Sequence, residues 1–139
     1  MQKRTDNAEV FPLLWTDDVG ALADWAVATL GLTESWRAAS DDGVVEHAEL
    51  LWQDGAGRIS INIRSDGGRD GGPSGISLRV DDRAIVDALH ARAEGSGARL
   101  SQPLAETVVA YSFTVLDADG NQWWVNAETG MLDGLRAGG

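Results

Sequence analysis

His47 is the side chain of this sequence best suited to acid–base chemistry. It lies in the segment VVEHAELLWQ, close to Glu46 and Glu49, and a histidine beside carboxylates can change its charge near neutral pH and act as a general base. The two glutamates are an odd number of positions apart, so a β-strand would place them on opposite faces, where they cannot form a paired-carboxylate site. The segment contains no nucleophile and no second histidine. We therefore interpret His47 as a structural or ligand-hydrogen-bonding group, with a catalytic base as the lesser alternative.

Tryptophan is over-represented among the aromatic residues, with six Trp against one Tyr and two Phe. An indole offers a large flat face and one N–H donor, which suit protein cores and pockets for aromatic ligands alike. Trp124 and Asn126 share one face of the last predicted strand, opposite Trp123. We expect Trp124 to form the floor of a site for a flat ligand; the alternative is that it only fills space. The chain has no Cys, which excludes disulfides, thiolate metal sites and cysteine nucleophiles.

The charge is strongly acidic. Eleven Lys and Arg against 22 Asp and Glu give a formal charge of −11. Nucleic-acid binding needs a basic surface, so we expect none. An acidic surface attracts cationic ligands, but it also keeps a protein soluble, which is the favoured explanation. No apolar run approaches the roughly 20 residues of a membrane span. The polar N-terminus, MQKRTDNAEV, and the lack of Cys predict a cytoplasmic protein.

Hydrophobic periodicity predicts two helices and eight strands that would position these residues. The helices are predicted at residues 19–30 and 83–94. The strands are predicted at residues 10–15, 32–39, 44–53, 58–64, 75–80, 99–104, 107–116 and 122–127.

The order strand, acidic cap, helix and glycine occurs twice. The acidic pairs that begin at Asp17 and Asp81 lie 64 residues apart, as do Gly31 and Gly95. This period is too long for a solenoid and indicates a duplicated module. The predicted division is one domain of residues 1–139, with a first βαβββ module at 10–65, a Gly-rich linker at 66–73, a second βαβββ module at 74–128 and a tail at 129–139.

Four segments in this order resemble the vicinal oxygen chelate superfamily, which comprises the glyoxalases, bleomycin resistance proteins and related dioxygenases. They are TDDVGALADWAVATLGL, GISLRVDD, GARL and VLDADGNQWW. The resemblance covers residues 10–128. It implies an α+β fold in which two tandem βαβββ modules form cupped, barrel-like mixed sheets. It also implies a homodimer and a small-molecule ligand bound in the cup.

Enzymes of that superfamily hold a divalent metal in the cup, through His or Gln, Glu or His, His, and Glu on the first, fourth, fifth and eighth strands. The matching positions here fall on Pro12, Asn62, Gly75 and Trp124. An indole only donates hydrogen bonds, and a stable divalent site wants three or four ligating atoms. We therefore expect no metal and no other cofactor. This favours the metal-free branch, represented by bleomycin-resistance-type proteins, which bind a drug and withhold it from its target.

The expected function is the sequestration of a flat aromatic compound, such as an antibiotic, with a cationic one weakly favoured. Alternation along the predicted strands assigns a set of side chains to the cup. The predicted ligand-binding residues are Trp124, Asn62, Ser77, Arg79, Tyr111 or Ser112, Leu14 and Asn126. One alternative is a lyase, isomerase or dioxygenase that uses His47 as a base or a metal at other positions. Another is an accessory domain without a ligand.

Overall fold

The computed structural model describes residues 9–64 and 73–130. Its elements are β1 (Leu13–Thr16), α1 (Val19–Leu30), β2 (Thr33–Ala39), β3 (Val45–Trp52), β4 (Gly57–Ile63), β5 (Gly75–Val80), α2 (Arg83–Gly95), β6 (Arg99–Glu106), β7 (Ala110–Leu116) and β8 (Gln122–Glu128). The predicted α+β fold of two tandem βαβββ modules is confirmed. Most of the predicted linker and nearly all of the predicted tail lie outside the described residues.

Each module forms one four-stranded sheet, and the two sheets share one topology. The strand orders are β1-β4-β3-β2 and β5-β8-β7-β6. The pairs β1–β4 and β5–β8 are parallel, and the other pairs are antiparallel. In each module the parallel pair consists of the first and the last strand, and the chain between them runs through the helix and the two other strands, because two parallel strands cannot be joined by a tight hairpin. The duplication seen in the sequence is therefore also a duplication of topology.

Aspartates begin both helices, as predicted. Asp18 accepts a hydrogen bond from the backbone N–H of Ala21 at 3.0 Å, and Asp82 accepts one from that of Ala84 at 2.8 Å. Each cap satisfies one of the backbone donors that a helix leaves free at its start. Gly31 ends α1 with φ of 75°, a left-handed conformation that glycine adopts without strain. The equivalent prediction for Gly95 is wrong, because α2 includes that residue and the positive φ belongs to Gly97.

The two modules are joined through their helices. The ring of Trp25 on α1 lies 5.7 Å from that of Trp123 on β8. Arg92 on α2 donates hydrogen bonds to the carbonyl oxygens of Ala28 at 2.7 Å and Val27 at 3.1 Å, at the end of α1. Trp123 lies in the apolar core on β8, which packs against α2, so α1 and α2 lie on the same side of the two sheets. We call the opposite face of each sheet the cup face.

Candidate functional site

The cup face of the first sheet carries a polar row beside an indole. Trp15, Asn62 and His47 are register partners on β1, β4 and β3. The Nδ1 atom of His47 lies 2.7 Å from the Oδ1 atom of Asn62. The amide nitrogen of Asn62 donates to the hydroxyl of Ser60 at 3.2 Å. Asn62 is 7% exposed, whereas His47 is exposed and Trp15 is half-buried. A buried amide thus supports an accessible imidazole.

The cup face of the second sheet is built around Trp124. Ser77 and Thr114 are its register partners on β5 and β7, and its ring is half-buried. Asn126 lies one row along and is 1% exposed; its amide nitrogen donates to the Ser77 hydroxyl at 2.9 Å. Trp124 and Ser77 therefore reach the surface of this face, and Asn126 lies beneath them.

Arg79 and Ser112 occupy the same row as Asn126. Both are its register partners, on β5 and β7. Arg79 is exposed, and its guanidinium lies 2.7 Å from a carboxylate oxygen of Glu128. Ser112 is only 9% exposed. The structure thus groups four of the predicted residues around Trp124 on one sheet and places Asn62 on the other.

Two of the predicted residues, Leu14 and Tyr111, do not lie on the cup face. Leu14 is 1% exposed within the apolar core and is the register partner of the buried Ile61. The alternation on β1 is displaced by one residue from the prediction, so Leu13 and Trp15 lie on the cup face and Leu14 lies beneath the helices.

Tyr111 lies on the helix side, whereas its alternative Ser112 lies on the cup face. Its phenol donates a short hydrogen bond to the carboxylate of Asp87 on α2. That bond, and then burial, raise the pKa of Tyr111, because both favour the neutral phenol. The guanidinium of Arg83 lies 4.2 Å from the centre of the Tyr111 ring. The phenol therefore belongs to a contact between sheet and helix and not to the cup.

Sequence reasoning missed Trp15 and Trp36 as cup-face residues. Trp36 is 47% exposed and is the register partner of Glu49 on β3. A bulge at Ser35 shifts the register of β2, so simple alternation could not assign its faces. For Trp15, the neighbouring Thr16 could have indicated the face. The hydroxyl of Thr16 accepts a hydrogen bond from the backbone N–H of Asp18 at 3.1 Å, so Thr16 points to the helix side and the preceding Trp15 points to the cup face.

The residues on the cup faces do not fit the divalent metal that the resemblance implies. Trp124 and Gly75 supply no ligating side-chain atom, nor do Leu13 and Trp15 on β1, and the amide oxygen of Asn62 is engaged by His47. Over residues 9–64 and 73–130, no group of three or more His, Cys, Asp or Glu side chains could hold a metal. Metal-dependent chemistry therefore has no ligand set among the described positions.

The Asp-Ala-Asp-Gly-Asn turn between β7 and β8 has a structural role. One oxygen of Asp117 accepts from the backbone N–H groups of Asp119 at 2.9 Å and Asn121 at 3.0 Å. The other accepts from the Asn121 amide at 2.9 Å and the Trp123 indole at 2.8 Å. Asp117 is 6% exposed, so its carboxylate replaces the water that these donors lost on burial. The turn thereby anchors Trp123 against α1 and sets the start of the strand that carries Trp124.

A separate cleft of about 290 Å³ lies between the start of α1 and this turn. Apolar side chains, Leu22 and Trp25, form much of its wall, and Asp17, Asp18 and Asp119 border it. None of the predicted ligand-binding residues lines it.

In the described part of the chain, no helix is long and apolar enough to cross a membrane.

One comparison with known proteins identifies a family. Residues 10–125 match the family described as the Glyoxalase/Bleomycin resistance protein/Dioxygenase superfamily. A search of the curated proteins found no match.

Among solved structures, the chain is similar to TioX from Micromonospora sp. ML1, at 23% identity and a TM-score of 0.70 over 88% of this chain and 100% of that one. It is similar to the fosfomycin resistance protein FosX from Listeria monocytogenes, solved with Mn(II) and sulfate, at 16% identity and 0.67 over 96% and 98%. It is also similar to a lactoylglutathione lyase from Agrobacterium tumefaciens, at 17% identity and 0.64 over 86% and 93%. At these identities the structures establish a shared fold.

Proposed function

Because the chain belongs to the glyoxalase/bleomycin resistance protein/dioxygenase superfamily, we propose that it binds a flat aromatic compound in its cup, without a metal, and sequesters it. The observation that carries this proposal is Trp124. It lies on the cup face, at the position where the superfamily's enzymes have a ligating glutamate. An indole at this position cannot ligate a metal, but it offers an aromatic surface to a ligand.

The accessible side chains of the two cup faces suit such a ligand. Trp15, Trp36 and Trp124 offer flat apolar area, and stacked aromatic rings gain free energy beyond that of simple burial. Exposed polar side chains, His47, Ser77 and Arg79, can orient the bound molecule. The formal charge of −11 favours a cationic ligand through the overall field of the protein.

The open cup faces also support a homodimer. Both face away from the helices, and on the first sheet Leu13 is 44% exposed and Trp36 is 47% exposed. A second copy of the chain would cover this apolar surface and enclose the ligand. Analytical ultracentrifugation at micromolar concentration should give twice the mass of one chain; a monomer at all concentrations would contradict this part of the proposal.

The decisive experiment compares Trp124→Ala with Tyr111→Phe, which alters the opposite face of the same hairpin. Binding of 9-aminoacridine, a planar cation, and of 2-naphthol is measured by calorimetry on protein whose metal content is known from mass spectrometry. We expect saturable binding without bound metal, weakened about tenfold or more by Trp124→Ala and unchanged by Tyr111→Phe. Equal affinity in both variants would refute the stacking role. Near one divalent ion per chain would refute the metal-free site.

A second candidate is a metal-free lyase or isomerase with His47 as general base. The contact between His47 and Asn62 favours it, because an oriented imidazole is what a base requires. Turnover of a superfamily substrate that is abolished in His47→Gln would establish this function over sequestration.

A further inference from the structure

Asn62 is placed to act through His47. Its side chain lies almost wholly beneath the cup face, at 7% exposure, and both ends of its amide are engaged. The oxygen lies 2.7 Å from Nδ1 of His47, and the nitrogen donates to Ser60 at 3.2 Å. The other imidazole nitrogen, Nε2, belongs to an exposed side chain. His47 is thus held from below.

This arrangement selects one imidazole tautomer. An amide oxygen only accepts hydrogen bonds, so Nδ1 of His47 is the donor, and Nε2 of the neutral ring carries the lone pair. The amide nitrogen of Asn62 is directed to Ser60, and the amide oxygen is directed to the histidine. We propose that Asn62 is a positioning residue that holds His47 in the Nδ1–H form, so that Nε2 accepts a hydrogen bond from an N–H or O–H group of the ligand.

The duplicated module shows what is particular to the first sheet. Asn126 follows Asn62 by 64 residues and occupies the same place in the second sheet, but its register partner on β7 is Ser112. A serine hydroxyl rotates and can donate or accept, whereas a held imidazole accepts along one direction. The first sheet therefore supplies directional recognition, beside the half-buried ring of Trp15.

This inference rests on the proposed function and deepens it by naming the ligand class. The ligand is a flat aromatic with a hydrogen-bond donor on its edge, such as a phenol, an indole or an aromatic amine. Loss of the donor should cost the free energy of one hydrogen bond in a partly dry site, which corresponds to about three- to tenfold in affinity.

The tautomer is measured by nitrogen NMR of protein labelled with ¹⁵N-histidine, above neutral pH. The chain has two histidines, so His90 on α2 is an internal control. We expect the proton of His47 on Nδ1 in the wild type and in Asn62→Asp, whose carboxylate also accepts. Asn62→Leu should move it toward Nε2, with the signals of His90 unchanged. A wild-type proton on Nε2 would overturn the assignment.

Ligand recognition is measured with 2-naphthol and 2-methoxynaphthalene, which differ in one donor. The wild type and Asn62→Asp should prefer 2-naphthol by about three- to tenfold, and Asn62→Leu should bind both alike. Equal binding of both by the wild type would refute donor recognition while leaving the aromatic cup intact. If neither probe binds, the aromatic-ligand proposal fails and donor recognition fails with it. Urea unfolding of each variant separates these outcomes from loss of fold.

Discussion

Replacing Asp117 with Asn should destabilise the whole chain, although the two side chains have nearly the same shape. The carboxylate accepts four hydrogen bonds, two on each oxygen. An amide keeps one oxygen and puts an NH₂ group in place of the other. Whichever way the amide turns, two donors lose their acceptor and face another donor. The donors at greatest risk are the indole N–H of Trp123, which is 0% exposed, and the amide of Asn121, which is 2% exposed.

Because both donors are buried, water does not replace the lost acceptor. A buried donor left without an acceptor costs about 1–3 kcal/mol, and neighbouring losses are not additive. We therefore expect Asp117→Asn to lower the free energy of unfolding by about 2–4 kcal/mol. For a chain of this length that corresponds to a fall in Tm of roughly 5–15 °C.

Urea unfolding followed by Trp fluorescence and by circular dichroism measures this loss. The matched control is Asp119→Asn in the same turn, whose carboxylate makes, among residues 9–64 and 73–130, a single long contact, at 3.8 Å, with Arg64. It should cost less than about 1 kcal/mol. If Asp117→Asn costs no more than Asp119→Asn, the Asp117 carboxylate does not stabilise the turn.

Two further predictions test the helix contacts. Arg92→Ala removes both hydrogen bonds to the end of α1. Because Arg92 is exposed, we expect the free energy of unfolding measured in urea to fall by about 1–2 kcal/mol, and Arg92→Lys should recover only part of this loss. An unchanged urea midpoint in Arg92→Ala would show that the contact does not stabilise the fold. Tyr111 is the one tyrosine of the chain, and its hydrogen bond to Asp87 and its burial raise its pKa, so it should ionise above the usual phenol range. The bond therefore stabilises the fold below a pH of about 10, and this stabilisation is lost as the pH rises through the pKa of the folded state. Ultraviolet titration should show the ionisation shifted toward lower pH in Asp87→Asn, and an identical curve would contradict the assignment.

The fold was largely predictable because its signals are local and occur twice. Asp18 and Asp82 precede apolar stripes of helical period, and Ile59 and Ile61 alternate with polar neighbours as a strand requires. Backbone preference and burial act in the same direction at these positions, so the elements and their order follow from short windows. The site was predictable in part. Trp124, Asn126 and Ser77 share a face as expected because β5 and β8 are regular. The faces of Leu14 and Trp15 were not predicted correctly because β1 is short, and that of Trp36 was not predicted because β2 contains a bulge.

The sequence by itself determined the two βαβββ modules, the acidic caps and the indole at position 124, since these depend on residue type and on spacing along the chain. Only the tertiary structure decided that His47 meets Asn62, that Tyr111 faces Asp87 and that Asp117 accepts from Trp123. The first two contacts join residues 15 and 24 positions apart, and they depend on strand register and helix packing. The third spans six positions, but it depends on how the turn folds back on its own carboxylate. The physical reason is common to all three: periodicity states which way a side chain points, and packing decides what it meets.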